Sequence, residues 1–238
     1  GLGRAMAEHL AAQGAKLALV DLDTTVLEEA VGGCKEQGGD ARGYVCNITD
    51  EAAVENTFAQ IKADFGEVNG LVNNAGLMRD AMLIKVKDGE LVGKMGLDQW
   101  QSVVDVNQTG TFLCGREAAA IMAVQGKGGV IVNISSVARA GNMGQTNYSA
   151  TKAAVATMVV AWGRELARHG IRTGGIAPGV IATDMTAQMK PEAIERLVSA
   201  VPLRRLGEVS EMAHTLQYII ENDFFTGRVV EMDGGLRM

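Results

Sequence analysis

The alternation of strand-like and helix-like segments is the feature of this sequence that most constrains its fold. Short segments rich in Val and Ile, bounded by Gly, Asn or Asp, predict strands at residues 16–21, 42–47, 70–74, 129–135, 171–177 and 227–232. Helical segments separate them, at residues 2–13, 24–37, 50–65, 98–123, 147–169 and 208–220. This order predicts right-handed crossovers and a parallel sheet with helices on both faces. We therefore expect a doubly wound α/β fold of three layers, in a single domain over residues 1–238.

Two segments interrupt this alternation, at residues 76–97 and 183–207. Each is a long connection, and in the second Pro191 and Pro202 flank a predicted short helix. Loops of this length in a compact domain are usually functional, often as lids or as walls of a binding site.

Charge and composition exclude several classes of function. The chain has 22 Lys and Arg against 28 Asp and Glu, a net charge of −6, so binding to a nucleic-acid backbone has no electrostatic support. Its longest apolar segment, residues 153–162, is too short to span a membrane. The three cysteines and three histidines form no metal-binding spacing, and we predict no metal site. This cysteine usage favours a reducing, cytoplasmic location.

The first residues of the chain resemble a phosphate-binding turn. Gly1-Leu2-Gly3 leads directly into a helix and then a strand that ends at Asp21. In a dinucleotide-binding unit, such glycines let the backbone approach the pyrophosphate at a helix N-terminus, and the later acid accepts hydrogen bonds from ribose hydroxyls. Taken alone, the two glycines fit the plain start of a helix equally well.

A hydroxyl, a phenol and an ammonium group are predicted near one strand end. Tyr148 and Lys152 are four residues apart at the start of a helix, so they share one face, and Ser135 and Ser136 close the preceding strand. Such groups suit proton transfer to a carbonyl, and we expect the charge of Lys152 to lower the pKa of the phenol. The alternative is a capping serine and a solvated lysine.

Four motifs in this order resemble those of the short-chain dehydrogenase/reductase family. They are NNAG at Asn73–Gly76, NISS at residues 133–136, YSATK at residues 148–152 and APG at residues 177–179. The resemblance covers the whole chain and is closest to the β-ketoacyl-acyl carrier protein reductases. It implies the Rossmann fold and an oxidoreductase that transfers a hydride between a nicotinamide and a carbonyl or secondary alcohol.

The resemblance also implies a role for each catalytic residue. Tyr148 would be the acid/base, Lys152 would lower its pKa and bind the nicotinamide ribose, and Asn107 would position a water relay to Lys152. Strand alternation sends the hydroxyls of Ser135 and Ser136 to opposite faces, so only one can reach the substrate. The resemblance implies that it is Ser136, which stands directly before Val137, where the family has its catalytic serine.

The cofactor-binding residues implied in the same way lie at several strand ends. Residues 183–207 would form a mobile lid over the substrate. The predicted cofactor contacts are Gly1, Leu2, Gly3, Asp21, Leu22, Asn47, Ile48, Asn74, Ala75, Gly76, Tyr148, Lys152, Pro178, Gly179, Ile181 and Thr183.

Asp21 predicts a preference for NAD over NADP. A carboxylate at this strand end accepts both ribose hydroxyls but repels the 2′-phosphate of NADP unless a cation intervenes. Candidates for such a cation are few, and one of them is Arg4, which follows the glycine turn. This prediction conflicts with the resemblance to β-ketoacyl-acyl carrier protein reductases, whose best-known members use NADPH.

The substrate class is less constrained. The resemblance favours a 3-oxoacyl thioester; a different alcohol, hydroxy acid or hydroxysteroid remains an alternative, as does a catalytically silent dinucleotide-binding regulator.

Two further expectations follow from the family. The predicted helices at residues 98–123 and 147–169 would pair across a two-fold interface in a homotetramer. The first strand of the family's sheet is missing from the sequence, and we expect the natural polypeptide to extend upstream of Gly1.

Overall fold

Among the residues that the structure describes, six of eight strands run parallel, and their bounds follow the predicted alternation closely. The computed structural model describes residues 1–187 and 189–237. Gln188, within the predicted lid, and Met238, the last residue of the predicted domain, lie outside the described residues. The strands are β1 (Lys16–Asp21), β2 (Asp40–Val45), β3 (Gly70–Asn73), β4 (Ile84–Lys87), β5 (Glu90–Lys94), β6 (Gly129–Ile134), β7 (Ile171–Pro178) and β8 (Arg228–Met232).

Several helices end at a Gly or Asn, as the third helix does at Gly66 and the last does at Asn222. Asp23 and Asp50 cap the second and third helices by accepting backbone hydrogen bonds. The α-helices are α1 (Leu2–Ala12), α2 (Thr24–Glu36), α3 (Glu51–Phe65), α4 (Leu97–Val104), α5 (Thr111–Gln125), α6 (Thr146–Glu165), α7 (Asp184–Ala187), α8 (Pro191–Ala200) and α9 (Val209–Glu221).

The parallel strands form two hydrogen-bonded groups. One contains β1 and β2, and the other has the order β3-β6-β7-β8. Among the described residues, no strand joins β1 to β3. Because the strands in both groups are parallel and helices connect them, the predicted parallel α/β architecture is confirmed.

The segment predicted as a long connection after β3 contains an antiparallel ribbon of β4 and β5. Asp88 and Gly89 form its turn with φ values of 52° and 81°, the left-handed conformation that a two-residue hairpin turn requires. The Asp-Gly pair between alternating residues was the signal for this ribbon, and the sequence analysis did not use it.

The predicted helix at residues 98–123 is divided into α4 and α5. A π-helical turn, Asp105–Gly110, joins them and contains Asn107. The predicted continuous helix was wrong at this point, because the inserted turn carries a buried asparagine whose side chain bonds another segment.

The core lies on both faces of the sheet. Val132, Ile134 and Ile176 pack with Met212 and Leu216 of α9, and a second cluster joins Ile131 to α3 and α5. This packing fixes the strand ends that carry the candidate site.

Glycine in β7 allows helix α9 to approach the sheet closely. A Cβ at Gly174 would lie 2.5 Å from Cγ2 of Ile219, so no larger residue fits without a shift.

In the part of the chain that the structure describes, no helix has both the length and the apolar character needed to cross a bilayer.

Candidate active site

The carboxyl ends of β3, β6 and β7 lie at one edge of the sheet. The parallel register places Asn73 beside Asn133, and Ile134 beside Ile176. The segments that follow these strands, which begin at Asn74, Ser135 and Gly179, therefore emerge at the same edge. Binding sites of open α/β sheets form at this edge.

The two serines after β6 have different environments. Ser135 is 2% exposed, and its hydroxyl donates a 2.8 Å hydrogen bond to the backbone oxygen of Lys152. Ser136 is partly exposed and caps a 3₁₀ turn, where its Oγ accepts a hydrogen bond from the amide of Ala138. Ser135 is thus engaged in the core, whereas Ser136 lies at the surface of the site.

Tyr148 lies in the first turn of α6, opposite Ser136. Burial raises the pKa of Tyr148 above its ordinary value, and a side-chain hydrogen bond with Ser136 acts in the opposite direction. The carboxylate of Asp80 adds to the upward shift of this pKa. The phenol of Tyr148 and the hydroxyl of Ser136 therefore interact across the site.

Lys152 is buried one turn further along α6. Its Nζ donates a 2.8 Å hydrogen bond to the backbone oxygen of Ile134 and lies 5.6 Å from the ring centre of Tyr148. Burial lowers the pKa of Lys152 to about 8. A buried ammonium with a single backbone acceptor has further donor capacity for a ligand.

The expected lowering of the phenol pKa is not the net effect in this structure. Desolvation raises the pKa of Tyr148, and the ammonium of Lys152 is directed to the oxygen of Ile134. The prediction rested on the charge of Lys152 alone and did not include the burial of Tyr148 and Lys152.

Asn107 is fully buried and its side chain fastens the segment after β3. Its Oδ1 accepts from the amide of Leu77 at 2.6 Å, and its Nδ2 donates to the oxygen of Leu77 at 3.0 Å. The same Nδ2 lies 3.2 Å from Oγ1 of Thr151, the residue before Lys152. Asn107 thus links the segment after β3 to α6.

Gly76 lies between Asn107 and Lys152. A Cβ at this position would be 3.4 Å from Nζ of Lys152 and 3.6 Å from Oδ1 of Asn107. The structure therefore brings Gly76, Asn107, Tyr148 and Lys152 together, and Ala75 is exposed beside them.

The start of α1 lies against the segment after β3. A Cβ at Gly3 would be 2.6 Å from Nδ2 of Asn74, so the two predicted cofactor contacts are in close approach. Leu2 packs its side chain against the core. A cavity of about 610 Å³ extends from Gly1 to Thr183. This arrangement suits a phosphate group at the helix N-terminus.

A second group of predicted contacts follows β1 and β2. Asp21 is exposed, and its Oδ1 accepts a hydrogen bond from the amide of Asp23. Leu22 is 63% exposed, and Asn47 is exposed with its Oδ1 bonded to Thr49. These residues lie on the strand group that is not hydrogen-bonded to β3.

Ile48 connects this second group to the π-helical turn. A Cβ at Gly110, the last residue of that turn, would lie 2.7 Å from Cδ1 of Ile48. The loop after β2 therefore packs against the π-helical turn at Gly110, which is three positions after Asn107 in the sequence.

Residues after β7 form the remaining wall. The amide of Gly179 donates to the oxygen of Met232, and Pro178 and Ile181 are buried. The amide of Thr183 bonds Oγ1 of Thr186, at the start of the predicted lid. The described part of that lid contains α7 and α8, in agreement with the short helix expected after Pro191.

Three residues that were not predicted from the sequence also organise the site. Asp80 and Gln145 share a 2.9 Å hydrogen bond next to Tyr148, and Thr151 bonds Asn107. Thr151 stands next to Lys152 in the sequence, but no local pattern indicated its contact with a residue 44 positions away.

The sequence is similar to those of known proteins over almost the whole chain. The sequence profile of the family described as enoyl-(acyl carrier protein) reductase matches residues 1–237. A human protein named 3-oxoacyl-(acyl-carrier-protein) reductase is 36% identical over 100% of this chain and 94% of its own length. The FabG proteins of Thermotoga maritima and Escherichia coli, with the same name, are 35% and 33% identical, over 99% and 100% of this chain and 93% of their own lengths.

The fold and site define an α/β oxidoreductase that acts on a carbonyl or CH–OH group. The chain belongs to the short-chain dehydrogenase/reductase family, whose members bind a nicotinamide dinucleotide. The residues present fit such a cofactor, because Gly3 leaves room beside Asn74 and Lys152 retains unused donors near Gly76.

Proposed function

We propose that this protein reduces the 3-oxo group of an acyl thioester to a 3-hydroxy group. The observation that carries the proposal is the buried Lys152, whose Nζ donates a 2.8 Å hydrogen bond to the backbone oxygen of Ile134 and lies 5.6 Å from the ring centre of Tyr148. The full-length relatives named 3-oxoacyl-(acyl-carrier-protein) reductase support the thioester class.

The catalytic roles follow from the environments of these side chains. Ser136 and Tyr148 hold the carbonyl oxygen of the substrate. A reduced nicotinamide dinucleotide, when bound, would supply the hydride for the carbonyl carbon. Because burial raises its pKa, the phenol of Tyr148 is protonated at neutral pH and can donate its proton to the oxygen as the alkoxide forms. Lys152 keeps a positive charge near Tyr148 and stabilises the phenolate that remains.

Asn107 acts as a positioning residue in this proposal. Its side chain holds the backbone of Leu77, which keeps Gly76 next to Nζ of Lys152. Asn107 would also position a water relay to Lys152.

We also propose NAD, rather than NADP, as the preferred cofactor. Asp21 presents an exposed carboxylate at the end of β1. Arg4, the cation that could offset its repulsion of a 2′-phosphate, is bonded to Glu8 at 2.7 Å and lies 3.6 Å from Glu29. This pairing reduces the positive charge that Arg4 could offer a phosphate.

The assembly and location form a separate proposal. We propose a homotetramer built through α5 and α6, where Phe112 and Val160 are exposed. Each chain would be a single domain. We propose a cytoplasmic location, where the three free cysteines stay reduced. Sedimentation equilibrium tests the assembly, and a mass of one or two chains would contradict it.

The proposed reaction is tested by following absorbance at 340 nm with a panel of substrates. 3-Oxoacyl thioesters should be reduced with a higher kcat/KM than simple ketones, hydroxy acids or hydroxysteroids. Turnover confined to a compound that is not a thioester would show that the substrate belongs to a different class. Cofactor binding with no turnover would indicate a regulator.

A further inference from the structure

Three exposed methionines lie beside the catalytic tyrosine. Met78, Met82 and Met143 are 40%, 48% and 84% exposed. Isolated apolar residues at a surface need no explanation, but a cluster of them marks a site of contact.

The three methionines belong to two segments that run side by side. The amide of Ala81 donates a 2.9 Å hydrogen bond to the oxygen of Gly144. Sδ of Met82 lies 3.9 Å from the position of a Cβ on Gly144, and Sδ of Met78 lies 4.0 Å from Nε2 of Gln145. Because Gln145 precedes Tyr148 by three residues, this surface begins at the rim of the proposed reaction site.

The backbone under this surface is held firmly. Nε2 of Gln145 bonds Asp80 at 2.9 Å, and Nδ2 of Asn147 bonds the oxygen of Arg79 at 2.9 Å. The methionine side chains are unbranched and flexible, so they can adapt to an alkyl chain on a rigid base.

We propose that Met78, Met82 and Met143, the methionine rim, bind the alkyl chain of the substrate and set its preferred length. This inference rests on the proposed reduction of 3-oxoacyl thioesters. An alkyl chain whose 3-oxo group lies between Ser136 and Tyr148 must leave the site past its rim, and the exposed methionines supply an apolar path there.

The test compares chain length in the wild type and in a rim variant. The probes are N-acetylcysteamine thioesters of 3-oxo acids with four to ten carbons. Full burial of one methylene group strengthens binding about four-fold, so partial contact with the rim should raise kcat/KM about two-fold per methylene. The Met82→Ser/Met143→Ser variant should lose most of this increase while keeping its activity on the four-carbon substrate.

Two control variants separate the rim from general effects. Val124→Ser alters a residue that is 90% exposed at the end of α5, and it should leave the chain-length dependence unchanged. Met82→Leu/Met143→Leu restores an apolar surface and should recover the dependence.

The outcomes distinguish this inference from the proposed function. No turnover with any thioester would overturn the proposed function. Turnover with the same chain-length dependence in the wild type and in the serine variant, or no dependence in the wild type, would overturn the role of the rim alone.

Discussion

Nζ of Lys152 donates a hydrogen bond to the backbone oxygen of Ile134 over 2.8 Å. The next residue of that strand end, Ser135, returns a 2.8 Å hydrogen bond from its hydroxyl to the backbone oxygen of Lys152. The two bonds fasten α6 to the end of β6, so the positions of Tyr148 and Ser136 depend on one another. Substitutions at these residues can therefore distinguish an effect on kcat from an effect on the stability of the fold.

Tyr148→Phe should lower kcat by roughly 100- to 10,000-fold, because it removes the proton donor from the transition state. Cofactor affinity should stay within about two-fold of wild type, since the ring and its packing remain. Single-turnover kinetics and cofactor titration measure the two effects. An unchanged kcat would contradict the assigned role.

Ser136→Ala and Ser135→Ala should have different consequences. Ser136→Ala should lower kcat roughly 100-fold, as expected for loss of a donor to a developing alkoxide. Ser135→Ala should instead reduce the free energy of unfolding by about 1 kcal/mol, because it removes a buried hydrogen bond. Steady-state kinetics and urea unfolding of both variants decide the assignment, and a larger kcat loss in Ser135→Ala would reverse it.

The buried Lys152 should make stability depend on pH. Because burial lowers its pKa from 10.5 to about 8, the unfolded chain holds more protons than the folded chain between these two values. The contribution of Lys152 to the free energy of unfolding therefore rises with pH across this window. Below about pH 8 the lysine is charged in both states, and its desolvation penalty is fully present.

Urea unfolding of the wild type and Lys152→Met across this window isolates the effect. The stability of the wild type relative to the variant should increase with pH. A difference independent of pH would contradict this and show that Lys152 is solvated in the folded protein, and one that falls with pH would contradict it by showing that the folded protein stabilises the ammonium.

Asp21→Ser should improve kcat/KM with NADPH about ten-fold or more, since ten-fold corresponds to removal of about 1.4 kcal/mol of repulsion. Asp40→Asn, an exposed carboxylate at the start of β2, is the matched control and should leave the NADH/NADPH ratio unchanged. Equal or higher kcat/KM with NADPH in the wild type would refute the preference inferred from Asp21.

Gly3→Ala should weaken cofactor binding, because its Cβ would lie 2.6 Å from Nδ2 of Asn74 and would displace that amide. Gly32→Ala is the matched helical control, since a Cβ there has no atom within 4 Å. This control should raise the free energy of unfolding by about 0.5–1 kcal/mol and leave the cofactor Kd unchanged. Equal cofactor Kd values in the two variants would show that Gly3 does not contribute to cofactor binding.

Local patterns determined much of the fold and the candidate residues. The strand at Lys16–Asp21 was predicted with its observed bounds, because apolar β-branched residues and flanking turn residues act over a few positions. The spacing of Tyr148 and Lys152 on one helix face is equally local, since it depends only on helical geometry.

Only the tertiary structure decided how these residues are supported. The bonds of Asn107 to Leu77 and Thr151 span 30 and 44 positions, and the π-helical turn that carries Asn107 follows from them rather than from local propensity. Burial raised the pKa of Tyr148 against the expected effect of Lys152, because desolvation depends on everything packed around a group. Sequence spacing thus determined which side chains share a strand end, whereas long-range packing decided their partners and protonation.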